Sequence, residues 1–195
     1  MSRFVARLRR LLPCFPVLAL TGLIFGAGLA PAAAQEWRVN KAKSNILLQL
    51  SVDGQPVEGR FSYYKAEIVF DPEEPEDAKI STIIDASSLR TGAPGFDAML
   101  TGPEWLNVGR SQAIRLTSVS IKEKDSPDYR MEADLTIRGV TKRVSVPLTL
   151  EDHGVDSKIK AQIRFNPRAF GINAGGGASE EMQITLDLAA THLTN

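Results

Sequence analysis

Tyr129-Arg130-Met131-Glu132-Ala133-Asp134-Leu135-Thr136-Ile137-Arg138-Gly139-Val140-Thr141-Lys142 is the stretch on which the fold turns. Met131, Ala133, Leu135 and Ile137 alternate with Glu132, Asp134, Thr136 and Arg138. Successive side chains of a strand point to opposite faces, so this alternation predicts a strand over Tyr129–Arg138 with one face apolar and one wet. Gly139 to Thr141 turns the chain into a second run, Arg143 to Leu150. The pair reads as an antiparallel hairpin over a core.

The same character recurs on both sides. Upstream, Ser44 to Val52 sets Ile46, Leu48, Leu50 and Val52 on one face, and Asp53-Gly54 follows as a tight turn, because glycine tolerates positive φ. Gly59 to Phe70 is a further run whose phase slips between Phe61 and Tyr64, which predicts a bulge. Lys79 to Ala86 and Ile114 to Glu123 are strands, the latter joined to Tyr129 by Lys124-Asp125-Ser126-Pro127-Asp128. Downstream come Lys158 to Phe165 and Met182 to Ala190, which brings the total to about eight.

Two segments break the pattern. Asp71-Pro72-Glu73-Glu74-Pro75-Glu76-Asp77 cannot continue a ladder, since proline lacks the donor and the charges want water. Its carboxylates lack the spacing of a calcium loop, so it reads as a solvated turn. Between Gly92 and Gly109, Phe96–Leu100 and Pro103–Leu106 read as short helical turns, with Pro103 at a first helical position.

The start of the chain has a different composition. Residues 1–34 carry Arg3, Arg7, Arg9 and Arg10 and no acid, then a mostly apolar run, Leu11–Leu29, then Ala32-Ala33-Ala34. Basic, apolar and small-residue regions in that order form a secretory signal peptide, cleaved near Ala34. The expected mature chain, residues 35–195, is one exported domain, placed in the periplasm. The order does not distinguish Sec from Tat export. A retained anchor is the alternative reading. Removing the segment takes away four of the 23 basic groups and leaves all 23 acids, a balance of about −4. That balance excludes a general nucleic-acid binder. The only cysteine, Cys14, leaves with the segment, so no disulfide or thiol nucleophile remains.

No catalytic constellation is legible. The two histidines, His153 and His192, lie in a turn and near the C-terminus, and there is no H-E-x-x-H and no G-x-S-x-G elbow. His153 with Glu151 and Asp152 is a poor metal set, because adjacent strand residues face opposite ways. Asp97 reads as a brace of the irregular segment rather than a general base. The chain is therefore expected not to be an enzyme, with no metal and no resident cofactor.

Eight antiparallel strands without an exposed edge predict closure. The expected architecture is all-β, an eight-stranded antiparallel lipocalin-like barrel with one or two short helices. A barrel of that size is either filled by side chains or holds one small apolar ligand. The candidate wall positions are Ile46, Leu48, Leu50, Phe61, Tyr64, Ile68, Ile84, Leu116, Leu135, Ile137, Phe165 and Leu186. Met99, Leu100 and Trp105 of the irregular segment are added as a lid or a plug. An outer-membrane barrel would need polar residues inside and aromatic girdles outside. Aromatics are only 7% of the chain and form no girdles.

One resemblance adds to this. Leu135-Thr136-Ile137-Arg138-Gly139-Val140-Thr141-Lys142, followed by Val144 and Pro147, is similar to a characteristic hairpin of the YceI-like family. Trp37, Ser44, Gly59-Arg60-Phe61, Phe70-Asp71-Pro72, Ser88, Thr91-Gly92, Asp97, Leu100, Trp105 and Phe170-Gly171-Ile172 fall in the same order. The family comprises exported lipocalin-like barrels that bind polyisoprenoid lipids. The resemblance implies a long-chain isoprenoid lipid, of quinone or polyprenol type, as the ligand. It is nearer the branch associated with membrane cytochrome b561, which makes such a protein a candidate partner. Val52 stands where a histidine is frequent, and Met99, Gln112 and Pro167 also depart from the usual pattern. No headgroup contact is therefore carried over from the histidine-bearing branch. Monomer and homodimer remain equal expectations. A side-chain-filled stress or interaction protein with no ligand is the rival reading.

Overall fold

Eleven strands form one sheet among the described residues: β1 (Glu36–Val39), β2 (Asn45–Val52), β3 (Gln55–Phe61), β4 (Tyr64–Val69), β5 (Lys79–Asp85), β6 (Leu89–Arg90), β7 (Ala113–Asp125), β8 (Asp128–Ile137), β9 (Val140–Glu151), β10 (Ser157–Phe165) and β11 (Met182–His192). One α-helix, α1 (Pro94–Thr101), lies between β6 and β7. The computed structural model describes residues 36–71, 74–125, 128–151, 157–172 and 177–192. The leader read over 1–34, His153 and Gly175-Gly176 lie outside the described residues, as does the side chain of His192.

Six of the short strands are halves of longer ones. β1 and β2 are separated by the 3-10 turn Lys41–Lys43, β3 and β4 by Ser62-Tyr63, and β5 reaches β6 through the 3-10 turn Ala86–Ser88. Each long strand pairs antiparallel with the next, and β11 pairs with both β1 and β2. The result is a closed eight-strand up-and-down barrel, the expected fold, with no free edge around the ring.

β8 and β9 are its most regular part. Ten residue pairs run from Asp128↔Thr149 to Ile137↔Val140 without a break. Arg138 (φ 56°) and Gly139 (φ 81°) close them as a two-residue turn with both residues left-handed, whose twist suits a hairpin. The turn is tighter than the expected Gly139–Thr141, because Arg138 takes the first left-handed position. Asp53 (φ 48°) and Gly54 (φ 79°) close β2 onto β3 in the same way.

The slip expected between Phe61 and Tyr64 falls at Ser62-Tyr63, two residues outside the ladder: β3 pairs with β2 and β6, and β4 with β1 and β5, the halves of the same two neighbouring strands. The partner strand breaks at the same level. Val39 faces Ala190 and Asn45 faces Asp187, so the first strand uses six steps where β11 uses three, and the extra residues form the Lys41–Lys43 turn. A register irregularity does occur in β7, between Ser118 and Ser120. The irregular segment holds one helix with Pro94 in its first turn; Pro103–Leu106 is a run of turns.

The inward face of the ring is one continuous apolar cluster, from Trp37 and Ile46 through Leu135 to Leu188. At roughly 25 cal/mol per Å² of apolar surface removed from water, this burial is the main term holding a disulfide-free domain together. Trp37 adds a specific tie, its Nε1 donating to Phe70 O at 2.8 Å and joining the start of β1 to the end of β4.

Candidate functional site

Strand periodicity brings the sequence-selected wall together. Ile46, Leu48, Leu50, Phe61, Tyr64, Ile68, Ile84, Leu116, Leu135, Ile137, Phe165 and Leu186 are all buried in the apolar cluster, as are Leu100 and Trp105. Met99 is half-buried and packs against that cluster from α1. Their inward direction follows from the register: Ala66, Thr82, Leu116 and Leu135 form one row across β4, β5, β7 and β8. Tyr64, Ile84 and Ile114 form the neighbouring row.

The middle of the wall is tight. Ile46, Leu48, Met131, Ala133, Leu135, Ile137 and Ile184 are each 0% exposed, which leaves no room for water against them. At this level the barrel is filled by its own side chains. Clefts border the wall from outside. One of about 380 Å³ lies where β4, β5 and the start of β7 meet, lined by Tyr63, Tyr64, Ile83, Ile84, Asp85, Gln112 and Ala113. It joins outward residues, Tyr63 at 71% and Ile83 at 38% exposed, to the lumen-facing Tyr64 and Ile84. A second, of about 540 Å³, borders β5 and β7 near Ala78 and Ile80.

The segment around α1 is fastened to the barrel rather than hinged from it. Asp97 Oδ1 accepts from Thr91 N at 2.6 Å and from Thr91 Oγ1 at 2.7 Å. These bonds, the hydroxyl first, hold the Asp97 carboxyl below its ordinary pKa. Arg138 Nη1 donates to Trp105 O at 2.6 Å, linking the β8–β9 turn to the same segment. Under β3, Gly59 meets Leu89: a Cβ at position 59 would lie 2.6 Å from Leu89 Cδ1. Gly-Arg-Phe thus has a steric reason for its glycine, because Leu89 fills the space that a side chain would take.

Polar groups are scarce inside. The buried polar side chains are Ser44, Thr82, Ser88 and Ser157, and no charged side chain is buried among the described residues. Ser44 and Ser88 are bonded: Ser44 Oγ donates to Asn40 O, and Ser88 Oγ accepts from Ser62 N and Tyr63 N across the strand break. The hydroxyls of Tyr64 and Thr82 have no hydrogen-bond partner. Sequence reading took Tyr64 as an apolar wall residue and did not select Thr82. The missed signal was phase, since Thr82 lies between Ile80 and Ile84 on the face they share. Among the described residues no cluster of His, Cys, Asp and Glu suits a metal, and no helix is long and apolar enough to cross a membrane.

A closed eight-strand barrel with an apolar interior and a fastened cap defines the lipocalin-like class of binding barrels. Within it, residues 37–190 match the YceI-like domain, and the chain belongs to that family. It is 26% identical over 181 residues to protein YceI of Escherichia coli, covering 88% of this chain and 93% of that protein. A UPF0312 protein of Yersinia enterocolitica is 27% identical over the same length, with the same coverage. Among solved structures, Burkholderia cenocepacia BcnA superposes with a TM-score of 0.75 at 24% identity, over 79% of this chain and 100% of that one. A polyisoprenoid-binding domain from Saccharophagus degradans, implicated in plant cell wall breakdown, superposes at 0.61 with 13% identity, over 82% and 99%. At these identities the two superpositions establish the fold.

Proposed function

We propose that this chain binds a long isoprenoid lipid, of quinone or polyprenol type, along the apolar interior of its barrel. One observation carries the reading: the inward face is continuous, apolar and free of buried charge among the described residues. Family membership and the polyisoprenoid-binding neighbour support it. A tail that leaves water gains about 0.8 kcal/mol per CH₂. Association costs an estimated ~4 to 15 kcal/mol, so only a long tail binds well. The protein acts as a binder, not a catalyst. Asp97, the one carboxylate singled out as a base, is occupied by Thr91. We further propose that the leader over 1–34 is cleaved near Ala34, that the domain works in the periplasm, and that a membrane cytochrome b561-type protein is a partner.

The tightness of the middle wall favours a second reading, a barrel that keeps its own side chains inside and binds no lipid. Under the first reading the tail displaces those side chains on entry, and the loaded barrel is wider. Lipid extraction of the purified protein followed by mass spectrometry separates the two. An isoprenoid lipid in the extract, or uptake of added quinone, is the expected result. The absence of both co-purified lipid and quinone uptake refutes the lipid reading.

A further inference from the structure

We infer that the hydroxyls of Tyr64 and Thr82 form a polar anchor inside the barrel that donates hydrogen bonds to a neutral oxygen at the head of the ligand, a quinone carbonyl or a prenol hydroxyl. The assignment rests on the lipid reading above and adds the residues and head chemistry that it leaves open. Tyr64 faces the lumen from β4 and Thr82 from β5, in adjacent rows: Tyr64 pairs with Ile84, and Thr82 with Ala66. That places them as diagonal cross-strand neighbours, which long side chains can span. Tyr64 is 9% exposed and Thr82 is 0% exposed. Neither hydroxyl oxygen has a partner in the protein.

Buried polar groups are nearly always paired, and an orphan disfavours the folded state. An apolar residue of similar shape would fit either position, Phe for Tyr64 and Val for Thr82. Two orphans on one patch of an otherwise apolar lumen therefore read as donors awaiting an acceptor. The surroundings limit what that acceptor is. A phosphate would have to shed its water without a buried cation to pair with, since no charged side chain is buried among the described residues. The cation at the Tyr64 ring, Lys41 Nζ, lies 5.7 Å from the ring centroid in a cation–π contact and stands on an exposed turn, not in the lumen. The cleft beside β4, β5 and β7 borders Tyr64 from outside and is also lined by the Asp85 carboxylate, which disfavours an anion there, while the Tyr64 hydroxyl itself is buried.

The test compares uptake from mixed micelles of four probes: a quinone with a long isoprenoid tail, a polyprenol, an isoprenoid hydrocarbon of similar length, and a polyprenyl phosphate. It uses the wild-type chain, Tyr64→Phe, Thr82→Val and the double variant. The wild type is expected to take up quinone or polyprenol at least about tenfold better than hydrocarbon or phosphate. Each single variant should lose roughly three- to tenfold of that preference, at about one net hydrogen bond each. Hydrocarbon uptake should stay level or rise. If the acceptor is a carbonyl, the stretching frequency of bound quinone lies lower in the wild type than in the double variant. A preference for polyprenol alone assigns the acceptor to a hydroxyl. Lipid-free Thr82→Val should melt at or above the wild-type temperature, because an orphan hydroxyl is gone. Equal uptake of quinone and polyprenol by all four proteins, preferred uptake of phosphate, or a lower melting temperature for lipid-free Thr82→Val overturns the anchor alone. No uptake of any probe by the wild type overturns the lipid reading and the anchor with it.

Discussion

The two sides of this barrel are built to different standards. On one, β8 and β9 form an unbroken ladder of ten pairs closed by a two-residue turn. On the other, both strands of the first hairpin break at one level, at Lys41–Lys43 and at Ser62-Tyr63. Among the described residues, the three buried side-chain polar atoms without partners, Asn45 Oδ1, Tyr64 OH and Thr82 Oγ1, lie on the strands at that break or next to it. Local rules that agree everywhere give a rigid wall, and places where they fail tend to serve a function. The regular side reads as scaffold, and the interrupted side is where the proposed anchor lies.

The largest test of this contrast is a charge in the scaffold. Leu135→Arg places an unpaired cation at a position that is 0% exposed. It should destabilise by more than about 4 kcal/mol, seen as loss of cooperative unfolding in denaturant, whether or not lipid is present. On the interrupted side, Gly59→Ala forces the buried Leu89 to move and should cost about 1–3 kcal/mol by the same measurement. Gly139→Ala, at φ 81°, strains the scaffold turn and should cost about 1 kcal/mol.

Asp97 sharpens the comparison through pH. Its carboxyl is held below its ordinary value of 3.8, so the ionised form is favoured by folding. The contribution is fully present above that value and disappears as pH falls through the lower, folded value. Asp97→Asn should therefore flatten the acid end of the melting-temperature profile and leave the profile near pH 7 parallel to the wild type. The smallest effect belongs to the outer face. Arg143 and Asp134 pair at 2.7 Å but are half-exposed, and Arg143→Ala should leave the melting temperature unchanged within error.

Period-two alternation made the regular side legible. It placed Met131, Ala133, Leu135 and Ile137 on one face, and Gly139 marked the turn to within a residue. The interrupted side was harder to read for a physical reason. A slip of phase looks the same whether one residue bulges or two leave the ladder together with a turn in the neighbouring strand, and only long-range pairing decides which. β1 and β6 escaped notice because four and two residues are too short to show a period. Thr82 passed as an ordinary strand residue, since threonine suits strands anyway; that its hydroxyl is unpaired depends on neighbours distant in sequence.

Ring closure has a kinetic consequence. The last rung joins Trp37 to His192, residues 155 apart in the chain. Contacts of such separation form late and fold slowly, because a long loop must be ordered before they contribute. Until the final strand arrives, β1 and β10 are unsealed and free to recruit other chains. A nascent copy is therefore vulnerable for the whole time its C-terminal strand is delayed, and a truncation before Met182 should leave an aggregating intermediate rather than a smaller barrel.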